Sequence, residues 1–210
     1  MKLHTNRFVI SISLLIFCIV LPCGAEDLSQ TYETIKKPAI ASEPIKSATE
    51  FYVRPLNFSS SNPKDAGYNS QEEWENESKG LPKEFAEAFP VLLKKYANNN
   101  KKVIIISPNE VVKKGVIVEA VVTKIINLGS FFSGVKAELL CNLTFTDAES
   151  GQSLFSGVVT VSSYDTERPG IPMFGGYRSF SYHLHSSAFN VAFVLTKVMV
   201  NGNLQNPYTP

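Results

Sequence analysis

The sequence is poor in the residues from which catalytic and metal centres are usually built. Only three of its 210 residues are cysteines and only three are histidines. It contains no Gly-x-Ser-x-Gly nucleophile motif, no P-loop, and no Gly-x-Gly-x-x-Gly following a strand. Nucleophilic and nucleotide-dependent chemistry are therefore not predicted, and we expect a protein that is not an enzyme and binds no cofactor.

The sequence also lacks an excess of charge of either sign. Twenty Lys and Arg residues face nineteen Asp and Glu residues, for a net charge of +1. Such a balance gives no broad attraction for nucleic acid or for an anionic membrane surface, so no nucleic-acid partner is expected. With 44% hydrophobic and 19% charged residues, the chain can bury the core of one compact domain.

The amino-terminal residues have the pattern of an export signal. Lys2 and Arg7 precede an uncharged apolar run over residues 8–21, which is shorter than the ~20 residues that a membrane-spanning helix needs. We therefore predict a signal peptide over residues 1–25, in preference to a permanent anchor. Its removal would leave 18 basic and 19 acidic residues.

Two kinds of processing remain open at the end of this signal. Cys23-Gly24-Ala25 places small residues before a cut after Ala25, as an ordinary signal peptidase requires. Alternatively, the run from Val20 to Gly24 resembles a bacterial lipobox, in which Cys23 would carry a lipid; Pro22 departs from that pattern. Either route predicts an exported protein of the periplasm or cell envelope, and the second predicts membrane attachment at the outer membrane.

The remaining cysteine and histidines give no evidence of a reactive centre. After cleavage following Ala25 only Cys141 remains, so no intrachain disulfide is expected, and its strand pattern places it in the core. His183 and His185 lie two residues apart at the start of a predicted helix, where their side chains would diverge by about 200°. We expect them to be solvated or to cap the helix; a hydrolase that uses one as its base is the outlying hypothesis.

Composition divides the mature chain into a tether over residues 26–50, a domain over residues 51–202, and a tail over residues 203–210. The tether is polar and contains two prolines. Within the domain, residues 59–80 form a polar insertion with four glutamates around Trp74. We expect a solvated loop or a short surface helix there, with a partner-binding lid as the alternative. The glutamates crowd into one segment and do not face each other as a glycosidase requires.

Hydrophobic periodicity predicts an α+β two-layer sandwich with the order β-α-β-β-β-β-α. The sheet should be mostly antiparallel, with both helices packed on one face. Pro55 suggests an edge or a strand end, and Pro90 suggests a kink or break near Glu87. The strands are expected at residues 51–58, 102–107 (buried), 115–128, 135–145 and 155–163, and the helices at 81–98 and 179–201, the second with one apolar stripe.

Several segments in this order resemble a known group of bacterial envelope domains. They include GVIVEAVVTKI from Gly115, LTFTDAESGQSLFSG from Leu143, and the closing helix. The group comprises the curli-secretion lipoprotein, the outer-membrane activators of penicillin-binding proteins and the amino-terminal domain of the Tol translocation protein. It commonly has a D-x-x-T-G turn, where this chain has Asp147 to Gly151 with Ser150 in place of Thr. The resemblance covers about residues 51–201 and implies an envelope-assembly role, without catalytic residues.

Two loops carry the residue types that are enriched at protein interfaces. If these side chains are exposed, they would bind an envelope protein or a second copy of the chain; otherwise they pack on the domain's own core. We therefore predict a protein-interaction or assembly module, with a periplasmic module for a small apolar or lipidic ligand as the alternative. The candidate residues are Phe131, Phe132, Met173, Phe174, Tyr177 and Arg178.

Overall fold

The computed structural model describes residues 42–97, 100–127, 137–163 and 180–204. In these ranges the chain forms one five-stranded sheet, helices, and a short 3-10 turn at Pro63–Ala66. The elements are α1 (Glu43–Ser47), β1 (Glu50–Val53), α2 (Gln71–Ser78), α3 (Leu81–Tyr96), β2 (Lys102–Ile105), β3 (Val116–Asn127), β4 (Ala137–Asp147), β5 (Ser153–Ser162) and α4 (Phe180–Asn201).

The sheet confirms the predicted α+β class and the order of its main elements. Its strands lie in the order β2-β1-β3-β4-β5. The long pairings β3–β4 and β4–β5 are antiparallel, whereas the short strand β1 pairs in parallel with both β2 and β3. The chain leaves β1 through α2 and α3 before it returns as β2, and this crossover is what permits the parallel pairing.

The positions of β1 and β2 differ from the prediction. Pro55 was predicted to mark either an edge strand or the end of a strand. Strand β1 ends at Val53, just before Pro55, so the second alternative is correct. The strand is an inner one, with Phe51 and Val53 fully buried. Strand β2, predicted to be buried, is the edge strand, with Lys102 and Ile105 exposed. A short apolar run does not distinguish an inner strand from an edge strand, because neighbours are set by the chain path.

Helix α3 continues through Pro90, so the predicted break near Glu87 is wrong. Pro90 lies on the exposed side of the helix. The carbonyl that loses its hydrogen bond there can bond to water, which lowers the energetic penalty of the proline. The opposite side buries Phe85, Phe89 and Leu92, as the spacing predicted.

The two long helices run parallel to each other on one face of the sheet. His185 near the start of α4 lies by Glu84 near the start of α3 (3.8 Å), and Phe193 further along α4 packs on Tyr96 at the end of α3, with ring centroids 5.5 Å apart. The prediction of a single apolar stripe on α4 is too narrow, because residues 186–196 are all buried. This run exceeds three turns, so every side of the helix is covered.

The predicted alternation along β4 is confirmed in the described part of the strand. Leu139, Cys141, Leu143 and Phe145 are fully buried on the helix side. The hairpin that follows is also as predicted: Asp147 Oδ1 accepts hydrogen bonds from the Ser150 backbone N–H (2.7 Å) and hydroxyl (2.6 Å). These bonds hold the pKa of the Asp147 carboxyl below its usual value.

The folded body extends beyond both predicted domain boundaries. Helix α1 lies within the residues assigned to the tether, yet Ile45 is fully buried and the Ser42 N–H donates to the Gly202 carbonyl over 2.8 Å. At the other end Leu204, assigned to the tail, is buried. One apolar residue in a polar segment is too weak a pattern to predict such docking. Residues 1–41 and 205–210 lie outside the described ranges, including the predicted signal and Cys23.

Candidate functional site

The predicted interaction residues lie in two segments outside the described ranges, but the ends of both segments are described. Residues 128–136 connect β3 to β4 and carry Phe131 and Phe132. Residues 164–179 connect β5 to α4 and carry the other four, namely Met173, Phe174, Tyr177 and Arg178.

The two segments are attached to the domain at neighbouring points, at one end of strands β3, β4 and β5. Asn127 at the end of β3 is the register partner of Ala137 at the start of β4. Ala137 in turn is hydrogen-bonded to Ser163, which follows β5: the Ser163 N–H donates to the Ala137 carbonyl over 2.9 Å, and the Ala137 N–H donates to Ser163 Oγ over 3.3 Å. The described residues that flank the two segments therefore lie together at one end of the sheet, which we call the loop edge.

Polar side chains from α4 fasten this edge to the helix layer. The Ser187 hydroxyl lies 2.9 Å from the Ala137 carbonyl and 3.0 Å from the His183 carbonyl. Asn190 Nδ2 donates to the Ser162 carbonyl over 2.7 Å. Ser187 and Asn190 are almost fully buried, and buried hydrogen bonds of this kind fix one arrangement of strand and helix. We call Ser162, Ser163, His183, Ser187 and Asn190 the anchoring cluster.

Sequence reasoning missed Ser187 and Asn190 as members of this cluster. Both lie in a helix chosen for its apolar stripe, and a polar residue in such a helix is ordinarily assigned to solvent. The signal that could have found them is the absence of charged side chains from residues 179–196, which contain several polar residues. A helix without charges is a candidate for burial on all sides, and its polar residues then require buried partners.

The histidines do not form a catalytic or metal centre with each other. His183 Nδ1 lies 3.1 Å from Ser163 Oγ, whereas His185 Nδ1 lies 3.8 Å from Glu84 Oε1 on α3. The two rings thus point to different elements, as their spacing predicted, but both are half-buried and partnered, not solvated. No group of three His, Cys, Asp or Glu side chains within the four described ranges could hold a metal ion.

The Ser163–His183 pair is built as a structural contact. Ser163 is 3% exposed, and its hydroxyl oxygen also accepts from the Ala137 backbone, so it does not present an open nucleophile. Cys141 is equally inaccessible: it is fully buried, and burial raises the pKa of its thiol. A buried neutral thiol is neither a nucleophile nor a metal ligand.

The polar insertion ends close to the loop edge. Trp74 on α2 is buried against Phe58 (centroids 5.5 Å apart) and Tyr68 (5.4 Å), and Tyr68 reaches Phe180, the first residue of α4 (6.3 Å). Of the two expected forms, a solvated loop or a short surface helix, the segment contains the helix, and Trp74 packs that helix against the domain.

The acidic side chains of this insertion serve the helix itself. The Ser70 hydroxyl accepts from the Glu73 N–H over 3.1 Å, and Glu73 Oε2 accepts from the Asn69 N–H over 3.1 Å, which together cap the start of α2. Burial, followed by the charges of Glu77 and Glu73, raises the pKa of Tyr68 to about 12. Glu73 therefore caps helix α2, and Glu73 and Glu77 raise the pKa of Tyr68. These contacts do not indicate a hydrolytic pair of carboxylates.

The space between helices and sheet is occupied by large side chains. Phe51, Phe85, Phe145 and Phe193 are at most 1% exposed. A cavity of about 390 Å³ lined by described residues lies elsewhere, where α1, α3 and α4 end, with Thr49, Tyr96 and Lys101 in its wall. None of the helices in the described ranges is long and apolar enough to cross a membrane.

Comparison with known proteins finds a coarse structural likeness. No family model and no curated protein matches the chain. It is similar to a dodecamer of a PelC variant from Paraburkholderia phytofirmans, with a TM-score of 0.39 and 12% identity, covering 80% of this chain and 94% of that chain. It is also similar to the hypothetical protein CT253 from Chlamydia trachomatis, with a TM-score of 0.39 and 10% identity, over 74% of this chain and 98% of that chain. With lipoprotein GNA1162 from Neisseria meningitidis the TM-score is 0.33 and the identity 13%, over 54% of this chain and 82% of that chain. At these values the likeness assigns the chain neither a family nor a function.

Proposed function

We propose that this chain is an exported, non-catalytic cell-envelope protein that acts as a protein-interaction or assembly module through its loop edge. The observation that carries the proposal is the direct hydrogen bonding between Ala137 and Ser163. Through it, the two segments that contain the predicted interaction residues begin and end side by side. Six side chains of interface type can then contribute to one contact surface, where hot-spot residues are most effective.

The anchoring cluster supports this use of the edge. Binding is weakened by every group that must be ordered when the partner arrives, so contacts presented from a fixed base bind more tightly. Ser187 and Asn190 fix the loop ends to a helix that is buried on all sides. The base of the proposed surface is therefore held to the core by buried hydrogen bonds.

The export signal supports the location, and the inert interior supports a non-catalytic role. The predicted signal directs the chain across a membrane, and a lipid on Cys23 would hold it at the cell envelope. The partner would then be an envelope protein or a second copy of this chain. Nucleic acid has no place in this proposal.

The proposal is tested by removing the aromatic side chains from both segments at once. A variant with Phe131→Ser, Phe132→Ser, Phe174→Ser and Tyr177→Ser is compared with the unmodified chain by chemical crosslinking in intact cells and by affinity capture. We expect the crosslinked species to disappear while the far-ultraviolet circular dichroism spectrum stays unchanged.

A matched control removes exposed apolar side chains elsewhere. Val111 is 85% exposed and Val91 is 46% exposed, and Val111→Ser with Val91→Ser should leave the crosslinked species in place. Persistence of crosslinking in the four-residue variant, or equal loss in the control, would contradict the proposal. A small apolar molecule that co-purifies in native mass spectrometry would favour the alternative of a ligand-binding module.

A further inference from the structure

Strand β5 forms one edge of the sheet, and no strand in the described ranges pairs with its outer side. The strand is 10 residues long, and its pairing with β4 is regular from Phe155 to Ser162, because the register shift beside Thr146 lies at its start. The backbone groups along a regular edge are already aligned for pairing with a further strand. We call the outer side of Ser153–Ser162 the β5 edge.

The two edges of the sheet differ in their protection against such pairing. Edge strands of natural proteins are commonly short, or they carry charges or prolines. Strand β2 is 4 residues long, and its exposed Lys102 pairs with Glu50 over 3.3 Å. Residues 151–163, in contrast, include no charged residue and no proline. The β5 edge therefore lacks the devices that protect the β2 edge.

The register determines which backbone groups of β5 point away from β4. In an antiparallel pair, alternate residues exchange hydrogen bonds with the partner strand, and the residues between them direct their N–H and C=O groups to the other side. The Ser163 N–H donates to the Ala137 carbonyl, so the odd-numbered residues from Phe155 onward bond to β4. The Ser162 carbonyl agrees with this pattern, since it accepts from Asn190 of α4.

The β5 edge is complementary to itself. Ser156, Val158 and Thr160 direct their N–H and C=O groups outward, and a second copy rotated about a two-fold axis at Val158 presents the same groups in the opposite direction. In this register Val158 exchanges two hydrogen bonds with the Val158 of the second copy. Ser156 pairs with Thr160 on either side of the axis, so every outward group of the three residues is bonded.

The side chains on the open face of the sheet fit the same register. Val158 is 42% exposed, and its counterpart in the second copy would cover it. Ser156 and Thr160 lie on the same face as Val158, and hydroxyl side chains that oppose each other across two strands interact favourably. Since the strand carries no charge, no like charges meet at the axis.

We propose that the chain forms a two-fold symmetric dimer by antiparallel pairing of its β5 edge with that of a second copy, which joins the two five-stranded sheets into one. A second copy fits the edge because the hydrogen-bonding groups, the side chains and the absence of charge match in one register. The contact is only one strand wide and is smaller than a standard interface of about 800 Å² per partner, so the dimer is reversible. This surface differs from the loop edge, and the inference does not rest on the function proposed there.

Sedimentation velocity tests the proposal with the exported chain carrying Cys23→Ser, so that no acyl chain contributes. We expect a monomer–dimer equilibrium that shifts to the dimer as the concentration rises towards about 1 mM. Val158→Lys and Val158→Glu should each lose the dimer, because like charges would face each other with Cα atoms about 5.5 Å apart. An equimolar mixture of these two variants should regain it, since the two-fold register brings the opposite charges together.

The matched control is Asn142→Lys. Asn142 is the register partner of Val158 on β4 and is exposed on the same face of the sheet. In the proposed dimer the two new lysines would lie three strand spacings apart, about 14 Å, which exceeds the Debye length of about 8 Å at physiological salt. This variant should therefore retain the dimer, and every variant should keep the circular dichroism spectrum of the unmodified protein.

Four outcomes would overturn the edge pairing. They are a chain that stays monomeric at about 1 mM, a dimer that persists in Val158→Lys, a mixture of the two charged variants that stays monomeric, and an equal loss of the dimer in Asn142→Lys. The last outcome would indicate that the faces of two sheets stack on each other.

The tests of the two proposed surfaces are separable. The variant with four loop substitutions should still form the β5 dimer in solution, and its failure to do so would contradict the edge pairing. Crosslinking and affinity capture in a Val158→Lys background remove the β5 dimer from the test of the loop edge. Crosslinked species that are present in this background and are lost with the four loop substitutions then belong to the loop edge alone.

Discussion

The docking of the amino-terminal helix on the end of α4 can be tested by a single methyl group at Gly202. This residue adopts a φ of +75°, and a Cβ built there would lie 2.6 Å from the Ser42 carbonyl oxygen and 2.7 Å from Lys46 Cγ. The carbonyl belongs to the backbone and cannot rotate away on its own. We therefore expect Gly202→Ala to force α1 from its place.

The magnitude follows from what such a displacement exposes. A left-handed conformation in a residue with a Cβ costs about 1–2 kcal/mol. Undocking α1 also breaks the hydrogen bond between Ser42 and Gly202, worth about 1 kcal/mol, and exposes Ile45, whose burial contributes about 1.5–3 kcal/mol. The free energy of unfolding should therefore fall by about 3.5–6 kcal/mol.

Gly151 supplies the matched control. Its φ is +70°, but a Cβ there meets nothing within 4 Å, so Gly151→Ala should cost only the conformational term of about 1–2 kcal/mol. Urea denaturation followed by circular dichroism measures both variants. In an Ile45→Ala background the cost of Gly202→Ala should shrink, because part of the docking energy is already lost. Equal destabilisation by the two glycine substitutions would refute the docking of residues 42–47 on α4.

Three further predictions concern groups that are buried or partly buried. A maleimide should label Cys141 only in denaturant, since the thiol is fully buried and its pKa is raised; labelling of the native Cys23→Ser protein at the rate of a free thiol would contradict the core position. The Tyr68 pKa of about 12 lies above its unfolded value of 10.0, so its stabilising contribution is complete below pH 10 and is lost towards pH 12; urea midpoints that do not fall over this interval would count against it. Ser187→Ala should lower the unfolding free energy by about 1 kcal/mol, because it removes a buried hydrogen bond. The control Ser47→Ala, at an exposed site, should change the unfolding free energy by no more than about 0.5 kcal/mol. Indistinguishable denaturation curves for these two variants would show that the anchoring cluster adds no stability.

Much of the architecture could be predicted because it depends on patterns carried by single segments. The alternation from Leu139 to Phe145 requires one buried face whatever the neighbouring strands are. The hairpin at Asp147 is equally local, since its carboxylate bonds a residue three positions later. Features of this kind need no knowledge of the rest of the chain.

The candidate sites depended on contacts between distant segments and could be predicted only in part. The loop edge exists because Ala137 and Ser163, 26 residues apart, are hydrogen-bonded. The residue types of the two loops suggested an interface, but the proximity of the described residues that flank them followed only from the sheet. The uncharged run over residues 179–196 indicates burial of the helix, but it does not identify which segment Ser187 and Asn190 bond, because a polar residue in a helix becomes an anchor only when another element covers it.

The sequence by itself determined the element order, the strand with the clearest alternation and the core position of Cys141, since each follows from local backbone periodicity. Tertiary structure alone decided that β1 is an inner strand and β2 an edge, that α1 belongs to the folded body, and that α4 is buried on every side. Each of these features depends on which distant segments become neighbours, and a local sequence pattern does not carry that information.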